Sequence, residues 1–244
     1  MENQNSFGWS NLPLVTFLVK LRRRVFFVLA TMGVVFAVGW PNSERIMAFV
    51  EAPLLPYTKL TFDTLTAPFI THFKATAYAA LFFSLPVAVV QVWLLARPSL
   101  GARERRAIWP FLLLSYPLFV GGALFCYYVA FPPMVGFLIG FDPAIVPSIR
   151  VDDYLTFVLR LLIAFGLIFE LPLATLLLTR MGLVTPEWLA RNRRYAVVIV
   201  FMAAAAITPP DVLSMLMLAL PLLVLFEISI LVARLARPRN RPQP

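Results

Sequence analysis

The stretch that decides the fold is Tyr154–Thr179, which reads YLTFVLRLLIAFGLIFELPLATLLLT. It is long enough to cross a bilayer, because about 20 apolar residues suffice at 1.5 Å rise per residue. Glu170 lies near its middle, and Pro172 follows two residues later. An ionisable side chain at that depth is costly unless it faces protein or water. The stretch therefore predicts a membrane span whose carboxylate has a partner inside the protein.

The composition of the whole chain is that of a polytopic membrane protein. Of its 244 residues, 61% are apolar and only 14% are charged, a balance that soluble globular domains do not show. The single cysteine, Cys126, excludes a disulfide framework and a cysteine-based zinc site. The formal charge of +9 comes from short clusters at the ends of apolar runs rather than from one basic face. We therefore expect no nucleic-acid binding.

The apolar runs predict an all-α fold with six transmembrane helices in a single domain spanning residues 1–244. The predicted spans are about 25–40, 75–96, 108–131, 154–179, 195–208 and 212–236. The fifth run would give roughly 21 Å of helix against a hydrocarbon core of about 30 Å. The loop between the first two spans is rich in Pro, Thr and aromatic residues, which predicts an ordered outer cap. The basic, proline-rich tail 237–244 is predicted to be disordered.

The distribution of basic residues predicts that both termini are cytoplasmic. Six spans divide the connecting segments into two sets, one for each side of the membrane. Of the 21 lysines and arginines, sixteen fall in the set that includes both termini and four in the other, and Arg160 lies inside the fourth span. Positive residues are retained on the cytoplasmic side, so the chain is predicted to be a multi-pass protein of the cell membrane.

No catalytic motif is present. The chain has no Gly-rich phosphate loop, no H-E-x-x-H, no cysteine pair and no serine in a nucleophile elbow. The only histidine, His72, lies in a predicted loop and is interpreted as structural or interfacial. We expect neither an enzyme nor a bound cofactor or metal.

Three features remain, and each has two interpretations. Glu170 is either a functional carboxylate or a buried acid hydrogen-bonded to a neighbouring helix. Glu104, within the run Arg103–Arg106, either pairs with its arginine neighbours or accepts a cationic peptide, since carboxylate and guanidinium match bidentately. The short fifth helix with its Pro209–Asp211 turn either thins the bilayer locally or is covered by a longer neighbour.

Seven stretches distributed over most of the chain carry a family resemblance. They are TFLVKLRRR (Thr16–Arg24), VEAPL (Val50–Leu54), QVWLLARPSLGARERR (Gln91–Arg106), FCYYVAFP (Phe125–Pro132), FGLIFELPLA (Phe165–Ala174), ITPPDVLS (Ile207–Ser214) and LPLLVLFEISI (Leu220–Ile230). Each is weak alone. Together with six spans and the Pro-Pro-Asp hairpin, they make the chain resemble TatC, the multi-spanning receptor subunit of the twin-arginine protein translocase.

The resemblance implies a function in exporting folded proteins. Such receptors bind signal peptides that carry two consecutive arginines and form oligomers with single-span partners of the TatA and TatB type. The proton-motive force, rather than ATP, drives the transport.

The resemblance also implies roles for particular residues. The implied signal-peptide site comprises Glu104 with Arg22, Arg24, Arg103 and Arg105. The implied docking site for partner helices comprises Glu170, Pro172 and the intramembrane Glu227. Pro53, Pro210 and Asp211 fall on structural motif positions.

One departure bears on signal-peptide recognition. The family's N-terminal motif reads His-x-x-Glu-x-Arg-x-Arg, whereas this chain has Phe17 and Lys20 at the His and Glu positions and retains both arginines. Replacing the acid with lysine removes an attraction and adds a repulsion toward a dicationic ligand. The sequence leaves three alternatives open. Glu104 alone suffices to bind the arginine pair, or Glu2 or Glu187 takes the place of the missing acid. In the third, the chain is a divergent paralogue that acts as an assembly scaffold.

A different class of function uses the same intramembrane charges. In a proton- or ion-coupled secondary transporter, Glu170, Arg160 and Glu227 would line a route beside proline-broken helices. The chain shows no internal repeat, which argues against this class.

Overall fold

The computed structural model describes residues 13–56, 60–62, 64–96, 102–140, 148–180, 182–208 and 211–236. Side chains are described throughout these ranges except at 13–16, 93, 95–96, 102–112 and 236. The predicted tail 237–244 lies outside the described residues.

The described chain is helical apart from turns and one pair of short strands. In chain order the helices are α1 (Pro13–Gly39), α2 (Ser43–Glu51), α3 (Ala67–Ala96), α4 (Ala102–Phe125), α5 (Phe131–Gly140), α6 (Val151–Phe169), α7 (Leu171–Arg180), α8 (Pro186–Arg191), α9 (Arg193–Ile207) and α10 (Val212–Ala236). Strands β1 (Leu60–Thr61) and β2 (Ile149–Arg150) pair in parallel. A 3₁₀ turn, Trp40–Asn42, links α1 to α2.

The predicted all-α, six-helix fold is confirmed. Within the described residues, five helical segments are long and apolar enough to cross a membrane: Phe17–Glu51, Ala67–Val92, Leu113–Gly140, Val151–Arg180 and Val212–Leu235. The sixth membrane helix, α9, has 15 residues and is about 22 Å long. Helices α1 and α4 begin before the predicted spans, because lysine, arginine and glutamate continue a helix readily beyond the apolar core.

The third membrane helix continues past residue 131, where the predicted span ends. A π turn at Cys126–Ala130 joins α4 to α5, and the Phe131 amide donates to Cys126 O, five residues back. Pro132 and Pro133 follow at once. Since proline has no N–H, a regular α-helix would leave two carbonyls without donors here. The wider turn precedes these prolines and the helix extends to Gly140.

Helices α4 and α6 approach each other closely. A Cβ on Gly122 would lie 2.7 Å from Phe165 O and from the Phe169 ring, and a Cβ on Gly166 would lie 2.7 Å from the Phe119 ring. The rings of Phe119 and Phe165 are fully buried. Each glycine thus makes the space that a phenylalanine of the opposite helix fills. We call these contacts the glycine seam.

Two tyrosines hold α2 as a cap on one end of the bundle. Pro53 has no amide for Phe49 O, four residues earlier, and the Tyr127 hydroxyl donates to that carbonyl at 2.5 Å. The Tyr154 hydroxyl donates to Val50 O at 2.9 Å. Carbonyls at a buried helix end need such partners. The proline at this motif position therefore frees the carbonyl that joins α2 to Tyr127, and Tyr154 joins α2 to the fourth membrane helix.

An ion pair and the strand pair complete the cap. Lys74 Nζ donates to both carboxylate oxygens of Asp152, at 2.7 and 2.8 Å, and so joins α3 to α6. Leu60 pairs with Ile149 and Thr61 with Arg150 across β1 and β2. The segments before α3 and before α6 are thereby fastened to each other.

Asp211 begins the last helix. Its Oδ1 accepts a hydrogen bond from the Ser214 amide at 2.6 Å, which satisfies one of the free amides at the start of α10. The aspartate of the Pro-Pro-Asp turn thus caps α10. Pro210 lies outside the described residues.

The glycine seam predicts opposite effects at two adjacent glycines. We expect Gly122→Ala to lower the free energy of unfolding by about 1–3 kcal/mol, because its Cβ would overlap a backbone carbonyl and a buried ring. Gly121→Ala is the matched control: nothing lies within 4 Å of a Cβ there. It should leave stability unchanged or raise it by up to about 1 kcal/mol. Thermal unfolding in one detergent measures both variants, and equal shifts would contradict the seam.

Candidate functional site

Glu170 lies where the fourth membrane helix is broken into α6 and α7. Pro172 is the second residue of α7, so it cannot donate to Ile168 O as a regular helix would require. The Glu170 amide instead turns back to Leu167 O at 3.2 Å, the spacing of a 3₁₀ turn. Glu170 is thus the residue that joins α6 to α7.

The carboxyl group of Glu170 is buried and held by one hydroxyl. The residue is 7% exposed, and Ser115 Oγ donates to its Oε1 at 2.6 Å. Ser115 lies on α4 and is 1% exposed. No lysine or arginine in the described part of the chain forms an ion pair with this carboxyl. The structure therefore brings the acid to a neighbouring helix, with no counter-ion from the part of the chain that it describes.

The glycine seam positions this hydrogen bond. Ser115, Phe119 and Gly122 are spaced by four and three residues, so they lie on one face of α4. On the opposite helix, Gly166 and Glu170 are likewise four apart. Since the two helices run antiparallel, Ser115 meets Glu170 one turn beyond the contact of Phe119 with Gly166. The distance of 2.6 Å depends on that close approach.

Further polar contacts join α7 to α10 and α9 to α10. Thr175 Oγ1, five residues after Glu170, lies within hydrogen-bonding distance of Pro172 O at 3.0 Å and of Ser229 O at 3.3 Å. Arg193 Nη2 donates to Glu227 Oε2 at 2.8 Å, and both side chains are about half exposed.

The Arg193–Glu227 pair marks the end of the short helix. Glu227 is the sixteenth residue of α10, about 22 Å from its start, and α9 has the same length. Arg193 at one end of α9 therefore lies level with Glu227, while α10 continues to Ala236. This half-exposed, paired acid differs in its surroundings from the buried Glu170.

Arg24 is already engaged inside the protein. Its guanidinium donates to Gln91 O at 3.2 Å, to Gln91 Oε1 at 2.9 Å and to Leu94 O at 3.0 Å. These acceptors lie in the last turns of α3, where free carbonyls and the helix dipole favour a cation. Arg24 therefore clamps α1 to α3.

The other residues of the predicted signal-peptide site are only partly described. Lys20 and Arg22 are exposed on α1. The backbone of Arg103, Glu104 and Arg105 lies in the first turn of α4, not in the expected loop, and these side chains are outside the described part. An acid in a first turn is favoured by the helix dipole. Their role in peptide binding stays a prediction.

The three groups of the predicted ion route do not meet. Arg160 is exposed on α6, Glu170 binds Ser115, and Glu227 pairs with Arg193. No hydrogen bond or ion pair connects them within the described residues. That part of the chain also contains no group of three His, Cys, Asp or Glu side chains able to hold a metal ion.

Comparison with known proteins agrees with this architecture. Residues 16–221 match the model of the family "Sec-independent protein translocase protein (TatC)". The chain belongs to the TatC family. A TatC from Magnetococcus marinus is 39% identical over 91% of this chain and 84% of its own length. The Escherichia coli K12 TatC is 38% identical over 95% and 92%.

A solved receptor structure has the same fold. The crystal structure described as the twin arginine translocase receptor TatC superposes with a TM-score of 0.83 and 34% sequence identity. The match covers 90% of this chain and 99% of the solved one. The protein is thus a multi-pass membrane subunit of a protein translocase and not an enzyme, and the sequence-based assignment to this family is confirmed.

Sequence reasoning missed Ser115 as a site residue. It is one polar residue in the apolar run PFLLLSYPLF, which also contains Tyr116. Nothing in the run indicates which helix it faces. Its distance in sequence from Glu170, 55 residues, is bridged only by helix packing.

The Ser115–Glu170 bond predicts an energetic coupling. Ser115→Ala leaves a buried acceptor without its donor, so we expect a loss of about 1–2 kcal/mol in unfolding free energy. Ser84→Ala is the control, because its hydroxyl donates within its own helix to Ala80 O. In a double-mutant cycle with Glu170→Ala, the two changes should be non-additive. Additive losses would show that the hydrogen bond does not contribute.

Proposed function

We propose that this chain is the receptor of a twin-arginine translocation system. It binds signal peptides that carry consecutive arginines and docks single-span TatA- and TatB-type partners within a larger oligomer. The proton-motive force drives export. The observation that carries this proposal is the structural match over 99% of a solved twin arginine translocase receptor. The absence of a phosphate-binding loop from the sequence accords with transport that does not use ATP.

Both termini are proposed to lie in the cytoplasm. Six membrane helices place the start of α1 and the end of α10 on one side, together with sixteen of the 21 basic residues. The bias follows the rule that positive loops remain inside. The cap formed by α2 and the strand pair then lies on the outer side.

The proposed acceptor for the arginine pair is Glu104. It starts α4 on the proposed cytoplasmic side, where a carboxylate and a guanidinium form a charge-assisted pair. Lys20 at the second acceptor position of the family opposes such a ligand. Because Arg24 is bound to Gln91 and Leu94, its charge is not free to approach the peptide. Recognition is therefore proposed to be weaker than in relatives that have both acids.

Charge changes at two positions test this recognition. We expect Glu104→Gln to weaken binding of a labelled twin-arginine signal peptide about tenfold, since charged hydrogen bonds contribute about 1.5–3 kcal/mol. Lys20→Glu should strengthen it by a comparable factor. Fluorescence anisotropy in detergent micelles measures both affinities.

The controls separate the remaining alternatives. Glu44→Gln removes an exposed acid from the opposite end of the bundle and should change nothing. If Glu187→Gln loses peptide binding and Glu104→Gln does not, Glu187 on α8 is the acceptor for the arginine pair. A wild type without measurable affinity, whose Lys20→Glu variant binds, would favour the assembly-scaffold function.

Glu170 is proposed as the docking point for a partner helix. A buried carboxyl that has one hydroxyl partner and no counter-ion among the described residues can accept further hydrogen bonds from a polar side chain of an incoming helix. Pro172 supports this by holding the break at which the carboxyl lies. No observation favours the ion-route function, since its three charged groups do not meet.

Co-purification tests the docking proposal. Glu170→Ala should reduce recovery of TatA- and TatB-type partners several-fold while lowering the thermal midpoint only modestly, because a partner hydrogen bond is lost. Glu44→Ala is the control, an exposed acid on α2 that lies outside the implied docking site. Unchanged partner recovery in Glu170→Ala would refute the assignment.

A further inference from the structure

A groove of about 540 Å³ lies between the first part of α1 and the end of α3. Its lining has three parts: the cations Lys20 and Arg23, the clamp of Arg24 with Gln91, and the apolar residues Phe26, Phe27 and Ala30. No acidic residue is among the described residues that line it. The groove therefore combines positive charge with an apolar wall.

The cations and the apolar wall follow one another along a single helix face. Lys20, Arg23, Phe27 and Ala30 are spaced by three, four and three residues, which is the repeat of one side of an α-helix. A ligand along this face would meet positive charge at one end and apolar surface at the other.

The two cations are available to a ligand. Lys20 and Arg23 are exposed, and neither has a hydrogen bond or an ion pair with another residue of the described chain. Arg24, by contrast, has three acceptors on α3. The hydrogen bonds of Arg24 fix the spacing of α1 and α3, while Lys20 and Arg23 line the groove.

The apolar wall is uncovered by protein. Phe26 is 73% exposed and Phe27 is 54% exposed. Both lie within the membrane segment Phe17–Glu51, the one candidate span whose apolar window has no buried residue in the described structure. Two exposed rings in a membrane helix face lipid chains.

We propose that this groove binds one anionic phospholipid, with its phosphate between Lys20 and Arg23 and an acyl chain against Phe27 and Ala30. The charge selects an anionic headgroup, because the ammonium of a zwitterionic lipid would add a positive charge beside two others. An acidic peptide would satisfy the cations but leave both aromatic rings in contact with the bilayer. The inference concerns lipid binding alone and does not depend on signal-peptide recognition.

Native mass spectrometry of the full chain purified in detergent measures the binding. Phosphatidylglycerol and phosphatidylcholine with identical acyl chains are titrated in parallel. We expect phosphatidylglycerol to bind about tenfold or more tightly, since each cation near a headgroup contributes about a fivefold factor. Lys20→Gln and Arg23→Gln should each lower its affinity about fivefold and leave phosphatidylcholine unchanged.

Two further arms locate the site. Arg234→Gln is the matched control, an exposed arginine near the end of α10, and it should change the affinity less than about twofold. Phe27→Ser should weaken binding of the lipid but not binding of soluble glycerol phosphate, because only the lipid has an acyl chain. A variant is compared with the wild type only if its thermal midpoint and its elution volume in size-exclusion chromatography match those of the wild type.

Specific results would overturn the proposal. An unchanged preference for phosphatidylglycerol in both Lys20→Gln and Arg23→Gln would place the lipid elsewhere. An equal loss in Arg234→Gln would show a general charge effect. The groove would be assigned to peptide if an acidic peptide displaced the lipid from the wild type and if Phe27→Ser bound the lipid with the wild-type affinity.

Discussion

The fold depends on the close approach of α4 and α6 at the glycine seam. Gly122 faces Phe165 and Phe169, and Gly166 faces Phe119, with no room for a Cβ at either glycine. In a membrane the hydrophobic effect does not drive helices together, so van der Waals packing and hydrogen bonds must do so. Small residues that let two backbones approach are the usual means. Here they also bring Ser115 within 2.6 Å of Glu170.

Breaks in the helices are a second constraint. The chain has 21 prolines, and a proline beyond the first turn of a helix leaves a carbonyl without its backbone donor. Two carbonyls at helix ends have donors from other helices instead. Tyr127 donates to Phe49 O, for which Pro53 has no N–H, and Arg24 donates to Leu94 O at the end of α3. Both hydrogen bonds are also tertiary contacts that hold helices together.

The charged groups divide by their surroundings. Lys74 with Asp152 and Arg193 with Glu227 are partly exposed pairs that lie near the two ends of the bundle. Such pairs contribute little to stability but fix the level at which helices meet. Glu170 is the exception, buried and with a hydroxyl as its described partner. This difference in surroundings is the basis of the docking role proposed for Glu170.

Sequence by itself determined the class, the number of membrane helices and the family. Apolar runs, the positions of basic residues and seven short motifs are local properties of the chain, and hydropathy depends on composition rather than on packing. The run Phe165–Ala174 also showed that an acid and a proline lie together near mid-membrane. The helix ends were less predictable, because polar residues continue helices beyond the apolar core.

Tertiary structure alone decided what each polar residue contacts. Glu170 meets Ser115, Glu227 meets Arg193, and Arg24 is bound to α3 while its neighbours Lys20 and Arg23 remain free within the described residues. In the sequence, Arg23 and Arg24 are adjacent residues of the same type and differ only in position. Their roles separate because helix rotation and the distance between helices, which arise from packing over the whole bundle, determine where each side chain lies.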